Sequence, residues 1–417
     1  MRIVWLSSVQ FSAEKIKQTG TWLQPLASSI SSIKDYEVIN ISIGNTPIIK
    51  EEAIGKLRQF VLPATGKNKE NKENIISLKD KLNSVIRSLS PDVIHVWGTE
   101  TIWANMNITS LFKDIPVLID IQGLYHRYWE YFYNGLTPLE LAKCIYIKEL
   151  IRPKLSIFAS RKEYKRLGDE EIKNLHTFKH ISYQSLWVKE QLELLSLDAQ
   201  LYPTKIILRN SFYGSIWKKP ANGNSPVIFT ISSGAIPYKG FHVLLKALSV
   251  IKKQIPDVKL RIAGRFLPNS KIDNGYPHYI KGLLKEFEIE NNVFFIGALD
   301  EDHIVNELLS SDVCVIPSFI ETYCLAFAEA MLVGCPTVAA FSGSLPNLAD
   351  NNKETMFYSP TDYPDCAAKV LTLLRDDELS HSISSNARKR RLQENDVNTV
   401  TARQIDIYRR VIEYSNK

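Results

Sequence analysis

Short β-branched runs alternate with amphipathic stretches from one end of the chain to the other, and few architectures accommodate that rhythm. It is the pattern of βαβ units wound around parallel sheets. In the first half, strands are predicted at 2–7, 36–41, 93–96, 117–121, 180–182 and 205–208, with helices at 20–31 and 75–89 between them. Ser90-Pro91-Asp92 closes the second helix before a buried strand. The polar stretch 67–74 reads as a surface loop.

Around 209–226 the texture changes. Lys218-Lys219-Pro220-Ala221-Asn222-Gly223-Asn224-Ser225-Pro226 carries no apolar period, so a domain boundary is placed here. The pattern then restarts, with strands at 227–232, 259–263, 293–296, 313–317 and 337–340. Helices are expected at 241–253, 279–287, 302–309, 324–333, 365–374 and 397–414. The division is therefore an N-terminal Rossmann-like domain over 1–210, a linker over 211–226, a C-terminal Rossmann-like domain over 227–395, and a helix over 396–417 returning toward the first domain. Ligands of such sheets bind beyond the carboxyl ends of the strands, and the deepest crevice is expected between the domains.

Composition narrows the class. The 417 residues are 45% apolar and 23% charged, which excludes disordered, collagenous and coiled-coil chains. No run approaches the ~20 apolar residues of a membrane-spanning helix. The apolar run in Met1-Arg2-Ile3-Val4-Trp5-Leu6 is too short for a secretory leader and reads as a buried strand. Five widely spaced cysteines without a Cys-x-x-Cys pair argue against a disulfide framework and fit a reducing, cytoplasmic setting.

The densest signal runs from Val313 through Pro317, Glu321 and Cys324 to Glu329. A buried strand ends at Pro317-Ser318, a short loop carries Glu321, and a helix starts near Thr322–Leu325. Unpaired backbone N–H groups and the helix dipole at such a start suit a diphosphate. A carboxylate at Glu329 offers two acceptors to vicinal hydroxyls, as on a ribose or sugar ring. An isolated pair of glutamates would be read more plainly as a helix-start residue and a solvated one.

The rest of the chain favours the sharper reading. This segment resembles the Glu-x7-Glu signature of retaining GT-B glycosyltransferases, specifically glycosyltransferase family 4. Pro91-Asp92-Val93-Ile94-His95-Val96-Trp97-Gly98 is similar to the family's first-domain strand before the cleft. Leu208-Arg209-Asn210-Ser211 resembles its linker, Ile236-Pro237-Tyr238-Lys239-Gly240 its Lys-Gly turn, and Ser342-Gly343-Ser344 its glycine-rich loop. These pieces fall in the family's order and cover most of the second domain.

The resemblance implies an α/β GT-B fold of two tandem doubly wound domains with an interdomain cleft. It also implies a nucleotide-diphosphate sugar held mainly by the second domain. By that likeness Lys239 neutralises the donor diphosphate and Glu329 accepts from the ribose. Glu321, with the backbone N–H groups of Cys324 and Leu325, holds the transferred sugar and phosphate. The sequence departs from the family pattern at several points. The arginine before the family's lysine is Gly234, so Arg265 becomes a substitute candidate. The family's first-domain histidine falls at Gln122, with His126 nearby. Its first glycine pair is reduced to Gly20 in Thr19-Gly20-Thr21. No cofactor or metal is expected: Asp300-Glu301-Asp302 has the Asp-x-Asp form but opens a helix, where acids cap and complement the dipole.

A basic, aromatic segment over 125–167 suggests a further partner. After Tyr125, Tyr128, Trp129 and Phe132, residues 141–167 carry eight basic side chains against Glu149 and Glu163. The plain reading is a solvated helix beside core aromatics; the sharper one is contact with an anionic membrane surface. Arg388-Lys389-Arg390-Arg391 reads as a solvated helix end, and no nucleic-acid partner is expected. The expected activity is transfer of a sugar to a saccharide or lipid-linked saccharide acceptor in surface polysaccharide synthesis. The expected place is the cytoplasm, peripherally on the inner face of the plasma membrane. The alternative is a degenerate protein of the same fold that binds nucleotide sugar or a partner without transfer.

Overall fold

Strands buried on both faces read as unbroken apolar runs, and both sheets are built from such runs. The computed structural model describes residues 1–14, 22–64, 72–221, 223, 225–232, 234–265 and 275–415. The first sheet holds β1 (Arg2–Leu6), β2 (Glu37–Gly44), β3 (Lys50–Ile54), β4 (Leu57–Pro63), β5 (Val93–Trp97), β6 (Val117–Asp120), β7 (His180–Tyr183) and β8 (Gln200–Pro203). Their spatial order is β3-β4-β2-β1-β5-β6-β7-β8, parallel except for the antiparallel edge pair β3 and β4. The second sheet holds β9 (Val227–Ser232), β10 (Lys259–Gly264), β11 (Val293–Gly297), β12 (Val313–Ile316), β13 (Thr337–Ala340) and β14 (Met356–Tyr358). It is parallel throughout, in the order β11-β10-β9-β12-β13-β14.

Each sheet belongs to its own compact unit. The first comprises Met1–Leu124, Asp169–Arg209 and Glu394–Lys417; the second comprises Tyr125–Gly168 and Asn210–Gln393. This differs in one respect from the division read along the chain, because 125–168 groups with the second sheet rather than the first. The reason is specific. The Glu140 carboxylate meets Lys246 Nζ at 2.6 Å and accepts from the Tyr279 hydroxyl at 2.7 Å. Burial alone would raise its pKa, but Lys246, the Thr137 N–H and Tyr279 hold it down at about 2. His242 is buried, and loss of hydration lowers its pKa to about 3, so it is neutral. With Nε2 3.1 Å from the Asn134 carbonyl, that nitrogen must carry the proton, leaving Nδ1 to accept from Tyr276 at 2.9 Å. The ring of Tyr128 stacks on Tyr238, 5.3 Å between centroids.

Within the first unit, the C-terminal helix Val397–Ser415 is fastened by Tyr408. Its hydroxyl accepts from Trp5 Nε1 at 3.0 Å and lies 2.8 Å from His95 Nδ1. Both partners stand on adjacent central strands, β1 and β5.

Several local expectations shift. The run 205–208 is buried, with Ile206, Ile207 and Leu208 all in the core, yet it is not a strand. The ladder ends at Pro203, and the Ile206 carbonyl is taken by the Asn395 side chain at 2.8 Å. β3, β4, β14 and the helix Asp377–Glu394 were not anticipated from periodicity. β3 carries Lys50, Glu51 and Glu52 as an exposed edge should, and Asp377–Glu394 is too polar to show an apolar stripe. Of the predicted loop 67–74, residues 67–71 lie outside the described residues, and 72–74 open the helix Lys72–Leu89. No described helix is long and apolar enough to cross a membrane.

Candidate active site

In the second sheet the strand order turns at β9 and β12. From β9 the chain moves outward through β10 and β11, then returns to place β12 on the other side of β9. Loops leaving the carboxyl ends of such neighbours diverge, and the crevice between them is where ligands of α/β sheets bind. The loop after β9 carries Lys239, and the loop after β12 carries Glu321. Their side chains meet there, Nζ 2.6 Å from Oε1, with 19% and 11% of the side-chain surfaces exposed.

Backbone contacts hold the two loops in register. Phe319 N–H donates to the Tyr238 carbonyl at 2.8 Å. Gly240 has φ +74°, and a Cβ there would collide with the Pro317 carbonyl, so the approach requires glycine. A third loop, Ser342-Gly343-Ser344 after β13, supports Glu321. The Glu321 carbonyl accepts from the Ser344 N–H at 2.9 Å and from its hydroxyl at 3.0 Å. Gly343 has φ +49°, and a Cβ there would lie 2.5 Å from that same carbonyl oxygen.

Burial depresses the Lys239 pKa, but the Glu321 carboxylate more than offsets it, leaving the ammonium above its ordinary value. Lys239 is therefore a fixed cation, also 5.6 Å from the centroid of the Tyr238 ring. Tyr238 is itself walled in by Tyr128, Phe132 and Tyr164. That aromatic wall belongs to 125–168, so Tyr128 and Phe132 of the expected headgroup aromatics pack instead behind the lysine turn.

The helix Leu325–Val333 starts beside this pair, with Cys324 as its N-cap at φ +71°. Leu325 is its first residue, and Glu329, one turn further, is 2% exposed. Of the predicted site residues, Lys239, Glu321, Cys324, Leu325 and Glu329 thus share one strand-to-helix region. Arg265 stands exposed just past Gly264 at the end of β10, and among the described residues it makes no hydrogen bond or ion pair to Lys239 or Glu321. His126 is buried in the second unit, where Gly168 packs against its backbone. Gln122 lies in the first unit just beyond β6, half-buried. Gly20 lies outside the described residues.

Sequence reasoning missed a set of acids at the carboxyl end of the first sheet. Asp120, the last residue of β6, accepts from the Ser182 hydroxyl at 2.7 Å and from the Gln184 amide. Its burial, with Glu100 nearby, raises its pKa to about 8. Glu171 accepts from the Thr99 hydroxyl. An acid closing an apolar strand is a legible signal, since strand ends are where these sheets bind. Asp300-Glu301-Asp302 is occupied otherwise: Asp300 caps Glu301–Ser310 through the His303 N–H at 3.1 Å, and Glu301 and Asp302 accept from the Ser211 hydroxyl at 2.8 and 2.6 Å.

Residues 215–390 match the family model for glycosyl transferases group 1, so the expected family likeness is met over most of the second unit. A similar curated protein is the MMP alpha-(1->4)-mannosyltransferase of Mycolicibacterium hassiacum, 27% identical over 186 residues. That match covers 44% of this chain and 43% of the relative, so the chain spans less than half of that protein's length. Sucrose-phosphate synthase from Thermosynechococcus elongatus superposes with a TM-score of 0.73 over 99% of both chains at 16% identity. Anabaena HepE, solved in complex with UDP and glucose, gives 0.66 over 97% of this chain and 98% of that one at 15% identity. The fold of the whole chain is GT-B, with two Rossmann-like sheets, as the motifs implied.

Proposed function

We propose that the protein is a retaining glycosyltransferase that moves a sugar from a nucleotide-diphosphate sugar to a saccharide or lipid-linked saccharide acceptor. The observation that carries this reading is the buried Lys239–Glu321 pair at the turning point of the second sheet, beside the start of Leu325–Val333. Breaking a glycosyl–phosphate bond develops negative charge on the leaving diphosphate and positive character on the sugar. A fixed ammonium and the backbone N–H groups at the helix start, in a region shielded from water, stabilise the former. Glu321 is assigned the hydroxyls of the transferred sugar, and Glu329 the ribose. The family match over 215–390 and a structural neighbour solved with UDP and glucose support a nucleotide-sugar donor.

Among the described residues no carboxylate stands out as a nucleophile. By the family likeness, retention is assigned to same-face attack, with the leaving phosphate taking the acceptor proton. Gln122 and His126 are assigned to the sugar and acceptor side, Arg265 and Gly20 to the diphosphate. We assign no metal to the reaction, because Asp300 is spent on a helix cap and its acidic neighbours on Ser211; full activity in EDTA is the expected result. Surface polysaccharide synthesis on the cytoplasmic side of the membrane is the proposed setting.

The test is turnover and thermal shift across a panel of UDP-, GDP- and ADP-sugars. A donor that stabilises the protein by mass action and is consumed with release of nucleoside diphosphate supports the reading. Stabilisation without any release, with or without added acceptor, would instead establish the alternative of a binding protein. No stabilisation by any donor would remove the site assignment.

A further inference from the structure

The helix Ile147–Ile151 is built inside out. Ile147, Leu150 and Ile151, spaced i, i+3 and i+4 on one face, are 62%, 70% and 73% exposed, while Glu149 between them is 4% exposed. The Glu149 carboxylate is held inward by the Tyr146 N–H at 3.0 Å. An amphipathic helix of a water-soluble surface turns its apolar stripe to the core and its acid to solvent; this one does the reverse. Leu155, 46% exposed, continues the apolar surface in the following turn Pro153–Leu155. The charged residues left outside are all cationic: Lys148, Arg152 and Lys154 are exposed, and Glu149 is the only acid in 145–155.

We infer that 147–155 docks the protein on an anionic lipid bilayer, with Ile147, Leu150 and Ile151 entering the headgroup boundary and Arg152 and Lys154 on lipid phosphates. An apolar crest ringed by cations is what such a boundary selects, because long basic side chains lay their stems on apolar surface and keep their heads among the phosphates. A second copy of the chain is disfavoured by charge, since a two-fold contact sets the same cations against each other. A protein partner is disfavoured by size. A specific interface takes about 20–30 residues a side, and this crest comprises nine consecutive positions, 147–155. The inference stands on the surface and not on the proposed reaction. It moves the membrane contact expected of 125–167 onto 147–155 and removes Tyr128 and Phe132, which pack on Tyr238.

Flotation of the full chain with phosphatidylcholine vesicles, with and without phosphatidylglycerol, tests it. The protein is expected to float with the anionic vesicles at low salt and to be released as salt rises. Ile147→Ser/Leu150→Ser/Ile151→Ser and Arg152→Glu/Lys154→Glu are each expected to weaken flotation at least ~10-fold. Their melting temperatures and donor thermal shifts should stay at the parent values, which separates loss of docking from loss of fold or of the proposed donor site. Failure of the parent chain to float at low salt would overturn the inference. So would equal binding by either variant, or a concentration-dependent dimer in sedimentation that the triple variant abolishes.

Discussion

Lys239 Nζ lies 2.6 Å from Glu321 Oε1, although 82 positions separate them in the chain. The topology makes this meeting, because β9 and β12 are hydrogen-bonded neighbours and each delivers one loop to the same edge. A buried pair stripped of one partner leaves an uncompensated charge, typically costing about 3–5 kcal/mol, whereas removing both charges is often neutral. Lys239→Met and Glu321→Gln should therefore each lower the melting temperature, and the double substitution should restore most of the loss. Donor turnover should behave differently, falling at least ~100-fold in Lys239→Met, about 2.7 kcal/mol, and staying low in the double variant. Calorimetry beside nucleotide-sugar turnover reads both, and recovery of turnover in the double variant would exclude Lys239 as the diphosphate partner.

Glu329 separates binding from architecture. It is 2% exposed on a helix whose other buried residues are apolar, where a carboxylate must be paired or hydrogen-bonded. Glu329→Ala should cut donor turnover at least ~100-fold, about 2.7 kcal/mol. Glu329→Gln, which keeps the shape and one acceptor, should lose less. If the residue were purely structural, the alanine variant would lose stability while the thermal shift produced by saturating donor stayed unchanged.

Five of the six strands of the second sheet were legible because their signals are local. Each strand is a short apolar run closed by a turn, and Pro317, Gly240 and Gly343 mark the places where backbones touch. The family likeness assigned Lys239 and Glu321 to one donor site but not to each other, and their ion pair could not be anticipated, since periodicity says nothing about which loops converge. The placement of 125–168 could not be read at all. It depends on Glu140 finding Lys246 and on Asn134 finding His242, contacts between segments about a hundred residues apart. Aromatic side chains look the same in sequence whether they face lipid or, like Tyr128, stack on another ring. The run 205–208 misled for a related reason, because burial marks a strand only when a neighbouring strand accepts its hydrogen bonds.

Cys324 occupies a backbone that ordinary residues avoid. At φ +71° and ψ +82° its Cβ crowds the following carbonyl, a strain of about 1–2 kcal/mol for an L-residue. Cys324→Gly removes that strain at the cost of greater freedom in the unfolded chain, so its stability should match or exceed the parent's. Cys324→Val adds a β-branch where one is least tolerated and should be less stable than the glycine variant by about 2 kcal/mol or more. Denaturant midpoints of the two variants, compared at equal slope, decide the matter.

Asp120 makes the first unit sensitive to alkali. Its folded pKa, raised by burial to about 8, exceeds the ordinary carboxylate value of about 4. Between those limits the folded chain binds more protons than the unfolded chain, so unfolding free energy falls as pH rises. The loss should begin near pH 4, proceed through neutrality, and level off above about pH 8, where the acid is ionised in either state. This is opposite in sign to the usual acid, whose paired carboxylate stabilises the fold as pH rises. Asp120→Asn keeps an acceptor for Ser182 and cannot ionise. It should flatten the melting-temperature profile between about pH 5 and pH 8 and make the variant the more stable protein at the upper end. A variant profile as steep as the parent's would show that Asp120 ionises without penalty, and that solvent reaches the carboxyl end of β6.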